Sequence, residues 1–218
     1  VISKNNFSVF ALNSLIITFT SIAIISVFCP LVSYSISRNM KKKYYSTLYY
    51  AFILGMFIPF QVIMIPTVKL MSRIHLMSHP GIITLYITYA LTHGTFLFVG
   101  YIRSIPLELE ESAMIDGCSI WSSFIKVIYP LIKPMTATII ILNSLWIWND
   151  FQLPLVMLNK SVKFWTMPLF QYNFKSKYMF DYNLAFASFL LTIMPLMVIY
   201  VFLQRYIISG LTAGAVKS

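Results

Sequence analysis

Five stretches of about 20 predominantly apolar residues fill most of this chain, and this pattern constrains the fold more than any other feature. They run roughly over Phe10–Ser33, Thr47–Lys69, Gly81–Tyr101, Met135–Leu155 and Asn183–Leu203. A helix of that length crosses the hydrocarbon core of a bilayer, which is about 30 Å thick. In lipid every backbone polar group must be bonded internally, so only helices and closed barrels span it. A barrel would show alternating hydrophobicity in segments of about ten residues, and no such alternation is present. Nor do the apolar residues form a stripe of 3.6-residue period, so these are lipid-embedded helices rather than amphipathic surface helices. The expected fold is all-α, a polytopic transmembrane helical bundle. Pro59 and Pro66 interrupt the second span.

Composition agrees. Only 10% of residues are charged, against about 25% in a soluble domain, and the mean hydropathy is +0.79. A net charge of +10 could suggest nucleic acid. However, the lysines and arginines are scattered between apolar segments, as in basic loops that flank membrane spans, so no nucleic-acid partner is expected. Cys29 and Cys118 have neither metal-ligand nor paired spacing and read as free thiols. His75, His79 and His93 lack the HExxH spacing. The glycines of the tail, Gly210 and Gly214, fail the spacing of a phosphate loop and follow no strand. No catalytic residue, metal site or bound cofactor is expected, and the chain reads as a non-enzyme.

Arg38, Lys41, Lys42 and Lys43 follow the first span and form the densest basic cluster. The positive-inside rule places it in the cytoplasm, together with the 103–134 connection and the C-terminal tail. Lys160, Lys163, Lys175 and Lys177, in the 156–182 connection, argue the other way. An outward-facing start is unusual for a chain with no signal-peptide features. A further helix upstream would restore an inward start and bring the span count to six.

The 103–134 connection holds four of the six acidic residues: Glu108, Glu110, Glu111 and Asp116. Ser104 is placed to cap a helix and Pro106 suits its first turn. The three glutamates then lie near the positive end of the helix dipole. Gly117 suits a left-handed ending. Ser119 can cap a second short helix carrying Trp121, Phe124, Ile125 and Ile128, and Pro130 and Pro134 separate it from the next span. A solvated connector would account for the charge. It would not account for Ala113, Met114, Trp121 and Phe124, which call for burial against something.

Here a resemblance becomes specific. Glu111-Ser-Ala-Met-Ile-Asp116-Gly117, nine further residues, and Val-Ile-Tyr-Pro130 resemble the EAA loop of ABC importer permeases: Glu-Ala-Ala, three residues, Gly, nine residues, Ile-x-Leu-Pro. Ser112, Val127 and Tyr129 depart from it mildly. The segments NSLIIT at 13–18, PFQVIMIP at 59–66, WND at 148–150 and QRYIISGLTAGAVKS at 204–218 are similar to landmarks of the maltose-type sugar permease subunits, in the same order. The resemblance covers nearly the whole chain as one permease domain. Family members have six spans. It implies a bacterial cytoplasmic-membrane protein that transports sugar by alternating access. Implied partners are a second, homologous permease subunit, two ATPase subunits carrying ATP and Mg, and an extracytoplasmic solute-binding protein. The first loop helix would be a coupling helix seated in a cleft of an ATPase subunit, with Glu111, Ser112, Ala113, Asp116, Gly117 and Pro130 as its motif positions. The tail around Gly210 and Gly214 would reach the ATPase subunits.

Polar groups at membrane depth face a cavity or another helix. Asn143, Trp146 and Asp150 recur at helical spacing in the fourth span, as do Tyr86, Tyr89, His93 and Phe96 in the third. With Gln61 these are candidates for a sugar pathway. The competing reading is helix packing, with Asn149 and Asp150 closing a helix end and Gln61 serving the backbone beside Pro59. Other ABC importer solutes remain open: a polyol, glycerol phosphate or an amino acid. An ion-coupled secondary transporter would need broken spans with acids at mid-membrane, whereas here the acids gather in one loop. A purely structural membrane scaffold is the third class, against which the polar stripes argue.

Overall fold

Helix α1 (Phe7–Arg38) and helix α4 (His79–Arg103) are each long and apolar enough to cross a membrane unbroken. The computed structural model describes residues 7–177 and, within 186–202, all but 196 and 199. Between the long helices lie α2 (Lys43–Met56) and α3 (Phe60–Arg73). After them come α5 (Glu108–Ile115), α6 (Ile120–Ser123), a π-helical turn (Phe124–Ile128), α7 (Tyr129–Leu131), α8 (Lys133–Asn149), α9 (Gln152–Leu158) and α10 (Met167–Lys177). A further apolar helix covers Phe186–Phe202. The described residues contain no strand, as the missing alternation predicts.

Two expected spans differ from their sequence boundaries. The second is two helices, broken at Phe57–Pro59. Proline disfavours helical backbone in the residue before it, here Ile58, and Pro59 itself is extended, with ψ of 134°. Pro66 lies inside α3 and does not interrupt it, contrary to expectation. The fourth span ends early: α8 stops at Asn149 rather than continuing to Leu155. The fifth, expected from Asn183 to Leu203, lies partly outside the described residues.

The chain clusters into two compact units. One draws on the residues up to Ala23, on Pro59–Thr88 and on Ile141–Phe202. Its core holds Phe7, Phe10, Met167 and Phe170. The rings of Phe10 and Phe170 stack with centroids 4.6 Å apart. Asn13 Nδ2 donates to the carbonyls of Lys163 (2.8 Å) and Trp165 (3.0 Å). Ser14 Oγ accepts from the Met167 N–H at 2.8 Å, which satisfies an orphan donor of the first turn of α10. Trp148 Nε1 donates to the Thr192 carbonyl at 3.0 Å, and Gln171 Nε2 to Thr192 Oγ1 at 2.7 Å, fastening the Phe186–Phe202 helix to α8 and α10. At the start of α4 the chain turns tightly: a β-carbon at Gly81, in its first turn, would lie 1.8 Å from the Leu76 carbonyl oxygen.

The other unit draws on Ile24–Ile58 and Tyr89–Ile140. Here α1 and α4 approach where Cys29, fully buried, meets Gly94. A β-carbon at residue 94 would sit 2.8 Å from the Cys29 Sγ, so only glycine fits without displacement. Helix α2 approaches the same helix at Gly55, whose β-carbon would meet Thr92 at 3.4 Å. Phe98, Val99, Ile102 and Ile139 are wholly buried, as are Ile128 and Ile132 of the 103–134 connection itself.

Candidate functional site

The connection begins differently from its sequence reading. Helix α4 runs to Arg103, and Ser104 Oγ donates to the Tyr101 carbonyl at 2.8 Å. Ser104 therefore finishes α4 and does not cap α5. Two further turns, Ser104 N–H to Tyr101 and Ile105 N–H to Ile102, extend that ending. Pro106 consequently precedes α5 instead of occupying its first turn, and Leu107 stands at the N-cap without a side-chain cap. The first turn does carry Glu108, Glu110 and Glu111, which complement the helix dipole.

At its end α5 follows local chemistry closely. Gly117 has φ of +85°, the left-handed region. The Cys118 N–H bonds the Ala113 carbonyl at 2.9 Å and the Gly117 N–H bonds the Met114 carbonyl at 3.0 Å. This paired arrangement is a Schellman ending, and it satisfies carbonyls that would otherwise be orphaned. Ser119 then caps α6, accepting from the Ser122 N–H at 3.2 Å. The second loop helix does not stop at Pro130, which lies within α7. A proline ring inside a helix collides with the carbonyl four residues earlier, and the wider π turn at Phe124–Ile128 precedes it; the Tyr129 N–H reaches back five residues to Phe124. The real separation is at Ile132, where the chain bends by 70° into α8. Pro134 falls in the first turn of α8, where its missing N–H costs nothing.

The four apolar residues that called for burial divide into two pairs. Ala113 and Phe124 are buried within this unit, whereas Met114 and Trp121 are exposed. Around the Gly117 turn, Ile115 is 86% exposed, Ile120 65% and Trp121 61%. Glu111, Ser112 and Asp116 flank them at the surface. The result is an apolar tip with an acidic margin.

Among the glutamates, sequence spacing singled out Glu111 and left Glu110 with no role beyond the helix start. The structure corrects this. Glu110 is 2% exposed. Its Oε1 accepts from Arg38 Nε at 2.6 Å, with Arg38 Nη2 equally close, and its Oε2 accepts from Tyr34 Oη at 2.6 Å. Arg38 Nη2 also donates to the Ile105 carbonyl at 3.3 Å. The Tyr34 ring packs on Phe124, centroids 4.9 Å apart. Tyr34 and Arg38 are four residues apart on α1, and so present one face.

In the first unit, Tyr86 is buried and its hydroxyl donates to Asp150 Oδ2 at 2.9 Å. Its ring meets Trp146 edge to face at 5.5 Å. The other oxygen of Asp150 accepts from the Gln152 N–H at 3.0 Å, so this carboxylate also closes the turn between α8 and α9. Asn143 is buried, whereas Trp146 is 40% exposed. Gln61 is exposed and donates to Gln152 Oε1 at 3.4 Å rather than serving the backbone beside Pro59. Gln152 carried no periodic signal in the sequence. Tyr89 and His93, both half-buried, belong to the other unit. Gly210 and Gly214 lie outside the described residues.

Comparison with known proteins agrees with these landmarks. Residues 26–212 match the family described as binding-protein-dependent transport system inner membrane component. The chain is 47% identical over 207 residues to the multiple sugar-binding transport system permease protein MsmG of Streptococcus mutans, covering 94% of this chain and 75% of that protein. It is 38% identical over 205 residues to the probable starch degradation products transport system permease protein AmyC of Thermoanaerobacterium thermosulfurigenes, covering 94% and 74%. To the melibiose/raffinose/stachyose import permease protein MelC of Bacillus subtilis it is 33% identical over 208 residues, covering 94% and 75%. The chain therefore belongs to the binding-protein-dependent transport system inner membrane components, and is a membrane-embedded transport permease component.

Proposed function

We propose that this chain is a permease subunit of an ATP-driven importer for sugars, forming half of the translocation pathway. Its partners are a second related permease, two ATPase subunits that hold ATP and Mg, and an extracytoplasmic solute-binding protein. The 103–134 loop and the C-terminus, with Gly210 and Gly214, face the cytoplasm and the ATPase subunits. One observation carries the docking assignment: the tip of the loop leaves Ile115, Ile120 and Trp121 largely uncovered around a left-handed turn. Burying one such side chain contributes about 1.5–3 kcal/mol, so this tip suits a cleft in another protein. Glu111 and Asp116 at its margin suit basic groups there, and Ser112, Ala113 and Pro130 keep the loop's shape. The sugars for which the relatives are named support a saccharide cargo. Trp146, partly exposed beside the Tyr86–Asp150 pair, and Gln61 with Gln152 offer an aromatic face and hydroxyl partners to it. Asn143, Tyr89 and His93 are further candidates along the path.

The test is co-purification and uptake in proteoliposomes with all partner subunits. Replacing Gly117 by valine or Glu111 by lysine is expected to reduce ATPase association while the chain still inserts. Undiminished association and normal uptake after both replacements would sink the docking assignment.

A further inference from the structure

Glu110 and Glu111 are adjacent in one helix yet meet different surroundings. Successive helical side chains point about 100° apart. Glu111 is exposed at the margin of the tip, whereas Glu110 is driven inward onto α1. The inward site is fully occupied by partners. Both carboxylate oxygens of Glu110 are bonded, one by the guanidinium of Arg38 and one by the hydroxyl of Tyr34. Among the described residues this is the only salt bridge.

The same two side chains of α1 reach three parts of the loop. Arg38 holds α5 through Glu110, and the approach to α5 through the Ile105 carbonyl. Tyr34 holds α5 through Glu110, and the second loop helix through the ring of Phe124, which is itself buried. A buried ion pair is seldom a source of net stability, because desolvation offsets its attraction, but breaking one partner is strongly unfavourable. What such a pair does well is fix a geometry. A bond to a charged group is also shorter and stiffer than a neutral one. Displacement of the loop tip is thereby carried to the last turns of α1 instead of being absorbed by flexing of the connection.

We infer that Tyr34, Arg38 and Glu110 are positioning residues that convert movement of the loop into movement of α1, so that ATP hydrolysis in a partner is linked to transport. This inference rests on the docking reading above and adds to it the element that receives the motion.

The experiment uses the complete complex in proteoliposomes and measures ATP hydrolysed per sugar molecule imported. Tyr34→Phe removes one bond to a charged group, and that ratio is expected to rise about tenfold. Glu110→Gln should raise it further, with ATPase subunits still co-purifying. The exchanged pair, Arg38→Glu with Glu110→Arg, should recover much of the loss, which a merely space-filling role would not do. An unchanged ratio in Tyr34→Phe and Glu110→Gln overturns the inference. So does failure of Glu110→Gln to assemble while Tyr34→Phe couples normally, since the pair then serves the fold alone. Failure of the docking reading looks different: ATPase association is then insensitive to Glu111 and Gly117.

Discussion

The contact of Gly94 with Cys29 yields a quantitative test of how α1 and α4 are joined. A β-carbon at residue 94 would lie 2.8 Å from the sulfur, whereas comfortable contact needs about 3.5–4.0 Å. Overpacking of this kind costs about 1–3 kcal/mol. Replacing a helical glycine by alanine returns about 1 kcal/mol. Gly94→Ala alone should thus lie between neutral and about 2 kcal/mol destabilising. Cys29→Ala removes the sulfur and leaves only the β-carbon at residue 29, at an ordinary 3.6 Å. In that background Gly94→Ala is expected to stabilise by about 1 kcal/mol. The two substitutions therefore couple by about 1–3 kcal/mol. Thermal unfolding in lipid nanodiscs, followed by tryptophan fluorescence, would read this as several degrees, since about 2–4 °C accompanies each kcal/mol in a chain of this size. Additivity within about 0.5 kcal/mol would refute the reasoning, because the sulfur would then be swinging aside without cost.

Two more expectations concern the first unit. Tyr86→Phe removes a bond to the Asp150 carboxylate from a buried position; it should cost about 1.5–3 kcal/mol, and an unaltered melting temperature would argue that the bond is not formed. Asn13→Leu deletes two bonds to the 159–166 connection. At about 1 kcal/mol each, their loss should speed hydrogen exchange at the Trp165 and Met167 amides by tenfold or more, and exchange at the wild-type rate would count against that anchoring.

How much could be read beforehand depends on how local the determining chemistry is. The Gly117 ending and the Ser119 cap are set within six residues by backbone sterics and a hydroxyl, and both were legible. Ser104 shows the limit of the same logic, because a hydroxyl competent to begin one helix was equally competent to close the preceding one. Glu110 was illegible for a different reason. Its partners, Arg38 and Tyr34, are 72 and 76 residues away, and no local spacing encodes which of two adjacent glutamates will meet them. The fourth-span stripe lay between these cases. Helical spacing brought out Trp146 and Asp150, but only the fold adds that Tyr86 of another helix meets both. Gln152 was missed because it sits beyond a helix end that apolar composition runs straight through.

The π turn at Phe124–Ile128 bears on which alterations in length the loop can accept. Each residue of a helix sets the angular phase of everything after it by about 100°. Deleting one residue within that turn would let it relax to ordinary pitch, and the relaxation would keep Ile132, wholly buried, in phase with its core. Inserting one finds no such slack and would swing Ile128 and Ile132, both wholly buried, out of phase. The nine residues that follow Gly117 thus set an angular offset between the apolar tip and α8 that tolerates shortening within the wide turn but not lengthening, so a graft that preserves the motif residues but adds to their count should lose α8's alignment before it loses the tip.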